Sequence, residues 1–155
     1  MHRRTALAGL LALAGCGFAP VYQTSDLAGR FQYRSDDTVL GFHMTTQLAQ
    51  RLGDPQTPRY TINVTIDERE RAAAINASGD TVRLNVIGQA DWRVVDLATG
   101  LQVGGGTVDA FTSYAATGST VATQATRDDA RARLATLLAD MIVTRILARA
   151  SDFQR

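Results

Sequence analysis

Few residues in this chain could do chemistry, and one of them stands alone. Cys16 is the only cysteine. A single thiol closes no internal disulfide and in an exported protein would be left reactive unless it were used; acylation would use it. His43 is the one histidine beyond the first few residues, and a lone helical histidine is more simply a surface or boundary residue than a ligand. Glu68 and Glu70 lie two apart on strand-like sequence, so they share a face as a pair of glycosidase-type acids would. Arg69 and Arg71 interleave with them, and a solvated, charged strand end accounts for all four. Gly104-Gly105-Gly106 lacks the Lys-Ser/Thr that follows in a phosphate loop, and inside strand-like sequence a bulge or a close backbone approach suits it better. Arg69, Arg71 and Arg83 remain. The first two point to one face of a strand, and the third follows shortly after a turn, so antiparallel pairing would bring it near them. Arginine offers phosphate a planar fork of donors. The alternative is that these arginines pair with Asp67, Glu68, Glu70 and Asp80 around them.

Whole classes of chemistry are missing. The sequence has no lysine, which removes Walker-type nucleotide binding and Schiff-base catalysis. A GC-rich genome would account for the all-arginine usage; the functional alternative is that arginine binds phosphate bidentately. No His/Cys cluster has metal-ligand spacing, and there is no Gly-x-Ser-x-Gly elbow. The expectation is a protein that is not an enzyme and needs neither cofactor nor metal.

The N-terminus has the build of an export signal. Arg3 and Arg4 form a positive start, and an apolar run follows from Ala6 to Ala14. That run is far short of the roughly 20 residues that span a bilayer, and matches a secretory h-region. It ends in Leu13-Ala14-Gly15-Cys16, where small residues would let a peptidase reach the backbone beside a modified thiol. The tetrapeptide resembles the lipobox of bacterial lipoproteins. The resemblance implies that residues 1–15 are removed and that Cys16, diacylated, becomes the first residue. Two or more acyl chains anchor stably where one does not. Gly17, rather than Asp, follows the cysteine, which in enterobacteria-like sorting points to the outer membrane. Losing Arg3 and Arg4 takes the formal charge from +1 to about −1, which gives no general pull toward nucleic acid. The remaining 140 or so residues suffice for one domain with a real core.

The elements that would position these residues can be read from periodicity. Residues 16–28 read as a tether, 29–150 as one domain and 151–155 as a tail. Gly29 to Arg34 holds a short strand. Asp36 and Asp37 offer a helix N-cap, Leu40, Met44, Leu48 and Leu52 recur every four residues, and Gly53 is a natural stop. From Tyr60 to Ile66 apolar and polar residues alternate strictly, and the strand continues to Arg71. Asn76 to Asp80 is a turn cluster. Alternation resumes from Val82 to Val94, with Gly88 marking a bulge or a close approach. After a loop at Leu97–Gly100, a third long strand covers Leu101 to Tyr114. A loop at Gly118–Thr123 precedes a helix from Gln124 to Arg149, with an apolar face through Leu134, Leu137, Leu138, Met141, Ile142 and Ile146. The expected fold is α+β: a two-layer sandwich of about four mostly antiparallel strands, with two helices packed on one face.

Cys16-Gly17-Phe18-Ala19-Pro20, behind the lipobox, resembles the opening of mature alphaproteobacterial LptE (RlpB) lipoproteins. The order of helix, strand, Ala77-Ser78-Gly79 turn, strand and C-terminal amphipathic helix is similar to that family over nearly the whole mature chain. The resemblance implies a non-enzymatic lipoprotein that plugs and helps assemble the outer-membrane barrel LptD and assists lipopolysaccharide insertion. It would make Arg69, Arg71 and Arg83 candidates for lipid A phosphates. In one respect the chain departs from the pattern. Some relatives carry basic residues at the hairpin turn and before the last helix, whereas Asn76-Ala77-Ser78-Gly79 and Thr120-Val121-Ala122-Thr123 are not basic. An auxiliary periplasmic lipoprotein of an ABC-type lipid transport system is the alternative with the same anchor and fold class.

Overall fold

The computed structural model describes residues 27–116 and 119–153. The signal, Cys16, most of the tether and the last two residues lie outside the described residues. The elements follow in the order β1 (Phe31–Ser35), α1 (Val39–Leu52), β2 (Tyr60–Ile75), β3 (Thr81–Asp96), β4 (Gln102–Ala115), α2 (Thr120–Leu147) and a 3-10 turn, Ala150–Phe153. The strands form one sheet in sequence order. β2, β3 and β4 pair antiparallel, while β1 runs parallel to β2. Parallel neighbours need a crossover, and α1 supplies it. The α+β class and the mostly antiparallel sheet are as the sequence implies.

Local chemistry sets the helix ends, and twice it differs from expectation. Thr38, not Asp36 or Asp37, caps α1: its Oγ1 accepts from the Gly41 N–H at 3.0 Å. Asp36 has another task. β2 runs on past the end of the short β1, so the N–H of Ile66 meets no strand; Asp36 Oδ2 accepts it at 2.7 Å. Gly53 ends α1 as expected, at φ +86° with its N–H on the Ala49 carbonyl at 2.8 Å. α2 begins four residues before Gln124. Ser119 accepts from the Ala122 N–H at 3.3 Å, and that cap carries the β-branched first turn.

Alternation assigns the two faces of the sheet. Tyr60, Ile62 and Val64 of β2, Val86, Ala90, Trp92 and Val94 of β3, and Val108 of β4 are buried against the helices. α1 contributes Leu40, Met44, Leu48 and Leu52, and α2 contributes Leu134, Leu138, Ile142 and Ile146. Gly88 is a close approach rather than a bulge. It stays in register with Glu68 and Ala110, and a Cβ there would lie 3.0 Å from Leu134 and 3.2 Å from Leu138. One end of the core is aromatic. Phe31, Tyr60 and Phe153 meet with ring centroids 5.4 to 5.8 Å apart, and the Tyr60 hydroxyl donates to the Phe153 carbonyl at 3.2 Å. Phe153 falls in the segment read as a tail, yet it is only 1% exposed.

Burial separates neighbours on α2 and sets a test. Leu138 is fully buried and Leu137 is 45% exposed. Leu138→Ala is expected to lower stability by about 3 kcal/mol through lost apolar contact and a residual cavity. Leu137→Ala is expected to cost under about 0.5 kcal/mol, as exposed substitutions do. Urea unfolding of both variants checks the order; equal losses would contradict the assigned helix face.

Candidate functional site

The hairpin β2–β3 outruns the apolar core. Beyond Ile66 the helix-facing positions of β2 become Glu68 and Glu70, and from Arg71 to Asp80 every residue is exposed. Register fixes what faces where. Arg69 pairs with Ile87 and Arg71 with Asn85; a register shift after Ala72 sets Ala74 against Arg83. Arg83 is two residues from Asn85, so it shares the face of Arg69 and Arg71, away from both helices. It sits diagonally from Arg71, where Cβ atoms of antiparallel neighbours are about 7–8 Å apart. The structure brings the three candidate arginines onto one open face.

It also sends the neighbouring acids elsewhere. Glu68 and Glu70 point to the helix side. Arg131 Nε donates to Glu68 at 2.8 Å, and Arg127 Nη2 donates to Glu70 at 3.2 Å. The Tyr114 hydroxyl joins them, donating to Glu70 at 3.2 Å and accepting from Arg127 Nε at 3.0 Å. That hydroxyl first, and the charge of Glu70 next, hold the Arg127 guanidinium above its ordinary pKa. Asp80 is taken by the turn, where Asn76 donates to it at 3.1 Å. Only Asp67 pairs with one of the three: Arg69 donates to it through Nε and Nη2. Those bonds lower the Asp67 pKa and raise that of Arg69. Among the described residues, Arg71 and Arg83 have no carboxylate partner. The local-pairing alternative therefore holds for Arg69 alone, and Glu68 and Glu70 are not a free acid pair.

Two apolar residues lie beside the arginines. Ile87 on β3 and Phe111 on β4 occupy the rung of Arg69 on the same open face. Phe111 is 64% exposed, and with Asn85, Ile87, Asp109 and Ala110 it lines a hollow of about 510 Å³. Guanidinium groups next to exposed apolar side chains suit an anion that carries hydrocarbon. The sequence held the signal: Phe111 is in phase with the outward Thr107, Asp109 and Ser113. Farther along, Arg34 and Arg93 flank Asn63 on one rung of that face.

The remaining candidates are structural. His43 lies on α1 with its ring 5.9 Å from that of Phe42. Gly104–Gly106 are strand residues beside a register shift between Val94 and Val95; a Cβ on Gly105 would come 2.9 Å from the Trp92 carbonyl. Both a bulge and a close approach are present there. Among the described residues no group of three His, Cys, Asp or Glu could hold a metal.

Comparison with known proteins places this architecture. The profile of the LptE family, described as lipopolysaccharide-assembly, matches residues 27–146. The chain belongs to the LptE family. Several solved structures share its fold. A lipoprotein from Caulobacter crescentus is similar at 20% identity and a TM-score of 0.67, over 82% of this chain and 94% of that one. Rare lipoprotein B from Shewanella oneidensis is similar at 11% identity and a TM-score of 0.57, over 81% and 98% of the two chains. Lipoprotein B from Nitrosomonas europaea is similar at 10% identity and a TM-score of 0.57, over 81% and 86%. No curated protein matches the chain by sequence. LptE proteins are outer-membrane lipoproteins of lipopolysaccharide assembly, a family of assembly factors rather than enzymes. In this LptE-family chain the hairpin stem docks on α2 through ion pairs where apolar packing ends.

The docking is measurable. Glu68 and Arg131 are each about one-quarter exposed, so their pair is expected to couple by about 1 kcal/mol, near the upper end for pairs in contact with solvent. A double-mutant cycle with Glu68→Ala and Arg131→Ala, read by urea unfolding, gives that coupling directly. A coupling near zero would mean that the stem is not held by this pair.

Proposed function

We propose that this LptE-family chain is held to the outer membrane by lipid on Cys16, plugs an LptD-type β-barrel whose assembly it assists, and meets lipopolysaccharide phosphates with Arg69, Arg71 and Arg83. The observation that carries the phosphate contact is the division of charge across the hairpin. Its helix-side carboxylates are taken by Arg127 and Arg131, while Arg71 and Arg83, on the open face, form no ion pair among the described residues; Asp67 and Asp109 line the same hollow as Arg69 and Arg71. Ile87 and Phe111 beside them suit the acyl-bearing part of the same ligand. The plug role is supported by family membership and by the open sheet face. Barrel interiors are polar, and this face presents mainly Asn63, Thr65, Asp67, Gln89, Asp91, Thr107 and arginines. The anchor is supported by the Leu13-Ala14-Gly15-Cys16 sequence.

One experiment separates the two halves of the reading. Full-length chain carrying Arg69→Gln, Arg71→Gln and Arg83→Gln is purified in detergent beside the wild type. Lipopolysaccharide affinity is expected to fall about tenfold or more, with a flatter salt dependence, as lost charge-assisted contacts imply. Co-purification of the barrel is expected to persist. Unchanged affinity across salt concentrations rejects the phosphate contact, and failure of the wild type to bring down the barrel rejects the plug.

The anchor has its own test. Cells fed a labelled fatty acid should label the wild type and leave Cys16→Ser unlabelled and unprocessed. Label on the serine variant would place the lipid elsewhere.

A further inference from the structure

β4 is the outer strand of the sheet, and α2 guards its edge unevenly. In an antiparallel pair, alternate residues turn both backbone polar groups away from the neighbouring strand. On β4 these are Thr107, Asp109, Phe111, Ser113 and Ala115. α2 reaches around to three of them. Arg145 Nη1 donates to the Thr107 carbonyl, Arg133 Nη2 to the Ser113 carbonyl at 3.2 Å, and Thr126 Oγ1 to the Ala115 carbonyl at 3.2 Å. Asp109 and Phe111, between these caps, have no such partner among the described residues. Sheets ordinarily protect exposed edges because unpaired N–H and C=O groups template another strand. Here the carbonyls at both ends are capped, while those of Asp109 and Phe111 in the middle have no partner among the described residues.

The open stretch also has an apolar floor. Beside it lies a hollow of about 430 Å³ lined by Ala110, Leu137, Asp140, Met141, Thr144 and Arg145, with Asp140 paired to Arg51 at 2.7 Å. Leu137 and Met141 are the exposed large apolar residues of the middle of α2, and Phe111 is exposed on the opposite side of the same edge. A strand added here would place one side chain over Leu137 and Met141 and its two neighbours beside Asp109 and Phe111.

We propose that this window receives an extended segment of a partner protein as a fifth strand, apolar at its centre and acidic at its ends. This goes beyond the lipopolysaccharide and barrel reading and does not depend on it. The span from Thr107 to Ser113 is roughly 20 Å at the strand rise, which fits about six residues. The acidic ends follow from charge. Arg145 has no carboxylate partner among the described residues, and Arg133 shares Asp129 at 2.9 Å. A second copy fits less well. Antiparallel pairing of two β4 strands about Ala110 sets Arg145 of each beside Arg133 of the other. Two open rungs and three apolar side chains also fall short of the roughly 1,200 Å² that stable protein pairs bury.

The test uses the full-length chain in detergent and a defined probe: a seven-residue, end-blocked peptide of alternating valine and threonine with glutamate at each end. Amide hydrogen exchange, read by NMR, should slow at least tenfold at Asp109 and Phe111 when the peptide is added. The same peptide with alternate backbone nitrogens methylated should have no effect. Leu137→Asp should weaken binding at least tenfold; should that variant unfold, Phe111→Pro, which removes one edge donor, should do the same. No protection by the peptide, or equal binding of the methylated peptide, overturns the proposal. Protection of both amides without peptide, together with a dimer mass in sedimentation, would assign the window to a second copy and overturn it as well.

Discussion

The seat of α2 on the sheet at Gly88 is the contact that the rest of this molecule depends on. Leu134 and Leu138 descend onto a strand position with no side chain, which lets the helix approach β3 closely and fixes its track along the sheet. α2 has 28 residues and spans about 42 Å, whereas the 16-residue strands β2 and β3 span about 53 Å. A helix of that length cannot cover such a hairpin. Toward its C-terminus it shares the apolar core with α1 and Phe153. Toward its N-terminus, where the core has run out, Arg127 and Arg131 hold the hairpin stem by its carboxylates. The tip, from Ala72 to Asp80, is left beyond both helices.

From this seat follows the electrical character of the open face. β2 reads Asp67, Glu68, Arg69, Glu70, Arg71, a segment nearly balanced in charge. The strand period separates it into two faces, and α2 consumes the acidic one. On the other face Asp67 offsets Arg69 and Asp109 lines the same hollow, while Arg71 and Arg83 form no ion pair among the described residues. A near-neutral sequence thus yields a locally cationic surface, with no basic residue at the turn itself. The Asn76–Gly79 turn is not basic, and the hairpin's arginines lie on its stem.

The fold was legible where periodicity was long and clean. The Leu40–Leu52 stripe, the Tyr60–Ile66 alternation and the Leu134–Ile146 face each specify an element, and together they specify two layers; the face of α2 reads too wide in sequence, since Leu137 and Met141 are exposed. What the sequence hid were contacts between residues far apart in the chain. Asp36 looks like a helix cap and instead serves an orphan N–H of β2, because the shortness of β1 cannot be read from local sequence. Phe153 looks like a frayed end and instead closes the core, because nothing local announces the aromatic pair of Phe31 and Tyr60 that receives it. At the candidate site, the shared face of Arg69 and Arg71 was legible and their company was not. The local-pairing alternative needed Glu68 and Glu70 on their side of the sheet, and only the position of α2 shows that Arg131 and Arg127 take those acids.

Arginine usage makes the same point about composition. Every basic side chain other than the histidines is an arginine, and the count says nothing about phosphate. Position does. The arginines of α2 work inside the fold: Arg127 and Arg131 pair with strand carboxylates, Arg133 and Arg145 cap carbonyls on the β4 edge, and Arg127 also lies 5.7 Å from the Tyr114 ring centroid. Arg59 stacks near Tyr60 at 5.2 Å. Several of these roles use the planar fork and the weakly hydrated face of guanidinium, which lysine lacks. Arg71, Arg83, Arg34 and Arg93 differ only in standing on strands at outward positions where the opposite layer never arrives. A chain that builds its scaffold from arginine therefore leaves some arginines without an ion pair among the described residues wherever the scaffold ends. Whether such a group binds a ligand is set by what lies beside it. Ile87 and the largely exposed Phe111 give the hairpin stem an apolar neighbour, whereas Arg34 and Arg93 share their hollow with Val64, Val95 and the carboxylate of Asp36.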